Sequence, residues 1–490
     1  MTNMENGRDY LQHVLNCLCT RLAQIDQAIL EGEKEVEDMH EYYWENYTEM
    51  DEYGYENYDN QQALFHQMHA NEEQFLLRKR FKKMLDSPFF GRVDFVYDGD
   101  DEPEIFYIGI GNLSETAGHR PLVYDWRAPV SGLFYDYDKG PAAYEAPSGT
   151  FSGEVVSKWQ YKIRRGKMIY EFESDVKIDD EILGAELGSK GEVQLKNIVR
   201  TIQKEQNAII RNTKDRIMVI QGAAGSGKTS VALHRIAYLL YHDREHLKSS
   251  NVLILSPNSV FSDYISHILP ELGEENIQEM SFDLFAYREL KGIVPDCEDR
   301  YDQLERTMKL QDPYLTERFE EKQLEGFVGM MEGFLARLED ELMDFRAIEY
   351  KGIQKTEEEL INLFYFKFQN APLLSRMDAI RDYCVDEYET LLGRDLSEEE
   401  LLIVQEKFDK MYVTKDIYKI YGWLLEECGY PSLPDVEYEK RKLEYEDVFP
   451  VLYLKYRLTG KAVHNHIKHL VIDEMQDYSY LQFVILNQIF

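Results

Sequence analysis

Eight residues constrain this chain more than any others: Gly222-Ala223-Ala224-Gly225-Ser226-Gly227-Lys228-Thr229. They fit the pattern G-x-x-x-x-G-K-[ST]. An apolar run, Arg216–Ile220, precedes them and reads as a short strand, and Ser230–Tyr241 reads as a helix. Strand, glycine-rich loop and helix in that order require an α/β layer, with the loop at the rim of a parallel sheet. The chemistry follows from the residue types. Gly222, Gly225 and Gly227 admit positive φ and close backbone approach, so successive N–H groups can face phosphate oxygens. The helix starting near Lys228 adds the positive end of its dipole. Lys228 would reach the β- and γ-phosphates of ATP, and the Thr229 hydroxyl would hold Mg²⁺. Ala223, Ala224, Ser226 and Ser230 complete the expected binding loop.

Such a loop needs a second metal contact and a group to orient water. His469-Leu-Val-Ile-Asp473-Glu474 supplies both in form, as an apolar strand ending in two carboxylates. Asp473 is the expected Mg²⁺ contact, and Glu474 the group that positions or deprotonates the attacking water. Lys228, Asp473 and Glu474 are thus the expected catalytic set. Asn251–Leu255, before Ser256-Pro257-Asn258, reads as another short apolar strand.

The rest of the chain divides by texture. Residues 1–86 read as an antiparallel helical pair, a coiled-coil arm. Leu11, Leu15, Leu18, Leu22, Ile25 and Ile29 follow a 4-3-4-3-4 spacing, continued by Val36 and Tyr43. The returning helix, from about 61 to 85, carries Leu64, Met68, Phe75, Phe81 and Leu85 in a less regular pattern. Residues 87–178 read as a small β-rich module, with strands near Val93–Tyr97, Ile105–Ile110, Val155–Ile163 and Met168–Phe172. Helix returns over Asp179–Arg211. Residues 179–290 and 455–490 are then one P-loop domain, interrupted by a helical insertion over 291–454. Within the insertion, Thr356-x-x-Glu359 and Ser397-x-x-Glu400 form capping boxes.

Charge narrows the partners. With 55 basic against 91 acidic residues the net charge is −36, which disfavours a surface that wraps nucleic acid over its whole extent. The excess is uneven. Residues 31–60 hold twelve acids against Lys34, a local net of −11, interleaved with tyrosines. Such a tip suits a basic cavity or a metal-bearing site on a partner, and a merely solvated tip is the plain alternative. Cysteines fall at 17, 19, 297, 384 and 428, without zinc-ligand spacing, so a reducing, cytoplasmic setting is expected. No stretch has the length of apolar sequence that crosses a membrane.

The segments 221–235 and Val471-Ile-Asp-Glu-Met-Gln-Asp-Tyr-Ser479 resemble the two nucleotide motifs of superfamily 1 helicases of the UvrD/Rep type. Thr201–Arg211 resembles their Q motif, which implies that Gln206 reads the adenine edge. Leu255-Ser-Pro-Asn258 resembles motif Ia, which touches nucleic acid in helicases. Phe89–Phe95, Tyr107–Ile110, Tyr124-Asp-Trp-Arg-Ala-Pro129 and Leu269–Gly273 are similar to the HelD branch. That resemblance implies an ATPase that binds bacterial RNA polymerase and helps release it from nucleic acid, the arm entering the secondary channel. Only 17 residues follow Asp473. The second RecA-like domain of the family has no counterpart here, so this chain reads as the front part of a motor, with the missing wall on another chain or beyond Phe490. The apolar run Tyr480–Phe490 is expected to leave an unsatisfied face. A UvrD-type DNA translocase and a non-hydrolysing interaction module are the competing readings. Arg127 is expected to make a structural salt bridge.

Overall fold

The computed structural model describes residues 7–45, 54–116, 118–173, 199, 202–223, 225–257, 268–270, 272, 274–393, 395–460 and 464–490. The chain forms two compact units: Met1–Ser249 with Val260–Ile277, and Ser250–Ser259 with Gln278–Phe490. The division cuts across the expected P-loop domain, which contributes residues to both.

The first unit begins with helices α1 (Gly7–Glu45) and α2 (Gly54–Asp86), packed along each other. Leu11, Leu18, Leu22, Ile25 and Ile29 are buried as their spacing predicts, but Val14 takes the fully buried place expected of Leu15. Beyond Ile29 the α1 seam has no fully buried apolar side chain among the described residues. There the helices approach closely instead: a Cβ on Gly32 would overlap Asn71. On α2 the expected pattern fails in part. Met68 and Phe75 face solvent, while Phe81 and Met84 are buried. The seam of α2 near its middle is polar, through residues such as Gln67, Asn71 and Gln74, and Arg78 pairs with Asp26. Side chains are described to residue 42 and again from residue 62, and residues 46–53 of the acidic stretch lie outside the described residues.

The base of the arm is fixed to a six-stranded sheet. Its strands are β1 (Gly91–Tyr97), β2 (Glu104–Gly109), β3 (Tyr124–Asp125), β4 (Gly140–Ala146), β5 (Gly149–Arg164) and β6 (Lys167–Glu173). The order is β3-β2-β1-β5-β4, with β6 also on β5; all pairs are antiparallel except β2–β3. Tyr10 of α1 stacks on Tyr107 of β2 at 3.7 Å between centroids, and its hydroxyl donates to the Leu122 carbonyl at 2.6 Å. Helices α3 (Lys204–Ile210) and α4 (Lys228–His242) also belong to the unit, as does a short buried helix over Gly132–Asp136. Residues 174–198 lie outside the described residues, so the helix expected over Asp179–Arg211 is seen only as α3.

The expected strand at Arg216–Ile220 does not form. Ile217 is 82% and Val219 65% exposed, and the segment pairs with no strand among the described residues. An apolar run becomes a strand only where a free sheet edge accepts its backbone groups.

The second unit has a three-stranded parallel sheet of β7 (Val252–Leu255), β8 (Gln278–Met280) and β9 (His469–Ile472), in the order β9-β7-β8. Every residue of β7 is buried. Helices α5 (Phe282–Leu290), α7 (Pro313–Gln323), α8 (Glu325–Glu341), α9 (Glu357–Asn362), α10 (Leu373–Leu392), α11 (Glu398–Asp409), α12 (Ile417–Glu427), α13 (Tyr445–Thr459) and α14 (Tyr480–Ile489) share one apolar core, while α6 (Arg300–Leu310) buries only Gln303 and stands outside it. Both expected capping boxes start helices, at Thr356 and Ser397. A buried ionic network fixes α13. Arg318 pairs with Glu446, Lys322 with Asp447, and Arg306 with Glu298 and Glu446. Such a network stabilises little net of desolvation, but losing one partner would strand a buried charge. The terminal apolar run is not left unsatisfied: Leu481, Ile485, Leu486 and Ile489 of α14 are buried in this core. No helix among the described residues is long and apolar enough to cross a membrane.

Candidate nucleotide-binding site

The loop leading into α4 is shaped by its glycines. Gly225 and Gly227 stand at φ +78° and +82°, the left-handed region that a Cβ disfavours. Gly222 is favoured for a different reason than φ. A Cβ there would lie 2.6 Å from the Ser226 hydroxyl. The Ser226 N–H donates to the Ala223 carbonyl at 3.2 Å, closing a tight turn. Lys228, the first residue of α4, bends back over the loop and donates through Nζ to the Gly222 and Ala223 carbonyls at 3.0 and 3.1 Å. Its ammonium is thus held over the loop, at the positive end of α4. Gly222, Ala223, Gly225 and Ser226 are exposed to solvent, while Thr229 is half-buried and Ser230 buried. The Ser230 Oγ has no hydrogen-bond partner among the described residues. Ala224 lies outside the described residues.

Gln206 sits in the first turn of α3. Its Oε1 accepts from the Gln203 N–H at 3.0 Å, so in this structure it caps its own helix. Arg235 of α4 donates to the Ile209 carbonyl at 2.8 Å and to the Asn212 carbonyl, tying α4 to α3.

Below the loop, α4 rests on the segment Asp125–Pro129. The ring of His234 meets Trp126 edge to face, with centroids 5.8 Å apart. Burial lowers the His234 pKa to about 4, so the ring is neutral and its Nδ1–H donates to the Ser230 carbonyl at 2.6 Å. Arg127 makes the expected salt bridge, and more. It is fully buried, forked onto Asp125 and paired with Glu274. Its motif signals importance in the sequence, but its placement under α4 has no local signal, because the partners are 110 and 147 residues away.

Asp473 and Glu474 belong to the second unit. The Asp473 N–H donates to the Leu255 carbonyl at 2.9 Å, continuing the β9–β7 ladder one residue past the strand. Glu474 then turns at φ +49°, strained for a residue with a Cβ, and opens a short 3₁₀ turn over Met475–Asp477. The Gln476 side chain donates to its carboxylate. The expected carboxylates therefore do stand at the carboxyl end of a parallel strand. Of the motif Ia residues, Ser256 and Pro257 follow β7, and Asn258 lies outside the described residues.

Two family models match the chain. That described as "DNA helicase IV HelD, N-terminal domain" matches residues 4–188, and "UvrD/REP helicase N-terminal domain" matches residues 202–490. Among curated proteins, the ATP-dependent DNA helicase PcrA of two Staphylococcus epidermidis strains is 27% identical over 258 residues. The match covers 46% of this chain and 35% of each relative, so the chain spans about a third of the relatives it matches.

Proposed function

Because the chain belongs to the UvrD/REP superfamily 1 helicases, as an N-terminal portion of HelD type, we propose that it is the nucleotide-binding part of an ATPase acting on bacterial RNA polymerase. The observation that carries the nucleotide reading is the loop itself. Two glycines at positive φ, the helix N-terminus and the Lys228 ammonium converge on one solvent-open turn.

The residues fit ATP with Mg²⁺ in their chemistry. Lys228 and the loop amides offset phosphate charge. Thr229 and Asp473 are hard oxygen donors suited to Mg²⁺, which would neutralise the β- and γ-oxygens. Glu474 positions the attacking water. Gln206 and Ser230 complete the nucleotide contacts, Gln206 by exchanging its cap for the base edge. An arginine finger brought to the cleft from elsewhere would contribute on the order of 10³–10⁵ in rate. The test is single-turnover hydrolysis of Mg·ATP by the chain. Glu474→Gln is expected to keep binding and lose turnover; equal rates would remove Glu474 from the mechanism.

The HelD-type N-terminal region and the acidic stretch over 31–60 support RNA polymerase as partner. Capture on bacterial core polymerase should fall when residues 31–60 are deleted. Equal capture would end the arm's role. A DNA translocase is the second reading, favoured by the matched relatives being DNA helicases. Stimulation of turnover by single-stranded DNA, absent with polymerase, would select it.

A further inference from the structure

The phosphate loop is anchored from one side. Upstream, residues 216–220 pair with no strand among the described residues and expose Ile217 and Val219. Downstream, the loop runs without a break into α4. A helix of this length is a rod of roughly 22 Å, so whatever seats its far half also sets the position of Lys228 and Thr229 at its start.

That seat is built by the β-module. Along α4, His234, Ala237, Tyr238 and Tyr241 recur at the i, i+3, i+4, i+7 spacing of one face. Each is met by Asp125–Ala128 or by the arginine that holds this segment. Trp126 meets His234. Arg127 donates to the Ala237 carbonyl at 3.4 Å and lies 4.6 Å from the Tyr241 ring centroid. Arg211, after α3, donates to the Trp126 carbonyl at 2.6 Å and the Ala128 carbonyl at 3.2 Å, with its guanidinium over Tyr238. Asp125 is locked in turn: its N–H donates to Asn112, whose side chain also reaches the Tyr241 hydroxyl at 3.2 Å. Arg127 therefore joins three parts: its own strand end through Asp125, α4 through Ala237, and Glu274 from later in the chain. β3, which carries Asp125, pairs with β2, and β2 carries the Tyr107 on which the arm's Tyr10 stacks.

We infer that Arg127 is a positioning residue for the nucleotide site, the pivot through which the β-module holds α4 and through which nucleotide binding is felt at the base of the arm. The inference rests on the nucleotide reading above. It assigns Arg127 no contact with nucleotide. Its role comes from the fork: a lysine keeps the charge but cannot serve Asp125, Glu274 and the Ala237 carbonyl together.

The test compares Mg·ATP affinity and amide hydrogen exchange in the full chain, for wild type, Arg127→Lys, Glu274→Gln and Lys228→Ala. Phe95→Leu, a core change in β1, reports what lost stability alone does. In wild type, nucleotide should slow exchange from the loop along α4 to Tyr241 and into Asp125–Ala128. In Arg127→Lys the affinity should fall roughly tenfold, and protection should shrink to the first turn of α4. Phe95→Leu should retain both affinity and pattern. If Arg127→Lys does not fold, Glu274→Gln decides, since it keeps the Asp125 fork; a weaker shift in the same direction is expected. Unchanged affinity and an unchanged exchange pattern, with wild type still binding better than Lys228→Ala, would overturn this inference alone. Wild type binding no better than Lys228→Ala would overturn the nucleotide reading, and this inference with it.

Discussion

The two halves of the nucleotide signature are built in opposite ways. Asp473 and Glu474 end a strand that is paired over its whole length: His469, Leu470, Val471 and Ile472 stand opposite Val252 to Leu255. The phosphate loop follows an apolar run of the same texture that pairs with no strand among the described residues, and takes its shape from its glycines, its lysine and α4. One half is supported by a ladder, the other by a helix seated on the β-module. The lesson is that a motif and its scaffold are specified separately. Local residues write the loop, while distant partners write what holds it.

Weakening each support in turn separates the two. Leu255→Ala removes a fully buried side chain of β7 beside the ladder. It should cost about 4 kcal/mol of stability, read by denaturant unfolding of the second unit. If the cost is below about 1 kcal/mol, the sheet is not what holds the carboxylates.

The helix-seated half should respond to pH. His234 is buried neutral with its pKa lowered to about 4 against an ordinary 6.5. Above pH 6.5 its contribution is intact. As pH falls from about 6.5 to about 4 the unfolded chain gains the proton first, and stability drops by up to about 3 kcal/mol. A pH series of thermal melts checks this. His234→Gln, which cannot titrate, should be flatter across that window.

Smaller effects separate strain from support. Glu474→Gly relieves a positive φ and should raise stability by about 0.5–1 kcal/mol while lowering any turnover that depends on the carboxylate. Ile217→Ser should change stability by less than about 0.5 kcal/mol, because the side chain is already in water. A large loss there would show that the run is buried and paired after all.

These contrasts also explain what the sequence could show. The loop, α4, β7, β9, both capping boxes and most β-module strands are legible, because each is encoded within a few residues by periodicity, caps or glycine. The arm's first seam is legible through Ile29, since apolar spacing alone specifies it. The returning helix is misread at Met68 and Phe75 because its seam there is polar, with Asn71 against Gly32 and Arg78 on Asp26. The strand at Arg216–Ile220 is misread because hydrophobicity does not supply an edge to pair with. The run after Tyr480 finds its core among helices of the insertion, a long-range fact with no local mark. Arg127 stands out as part of a motif, but its fork under α4 needs the fold.

In the reading proposed above, Gly222–Thr229 binds nucleotide phosphate through Lys228. Equilibrium binding of Mg·ATP to the full chain, wild type beside Lys228→Ala, tests it most directly. The lysine makes charge-assisted contacts, so its loss should weaken affinity by roughly 100-fold. Because its described partners are only exposed loop carbonyls, the melting temperature should barely move. Equal affinity in the two proteins would contradict the account.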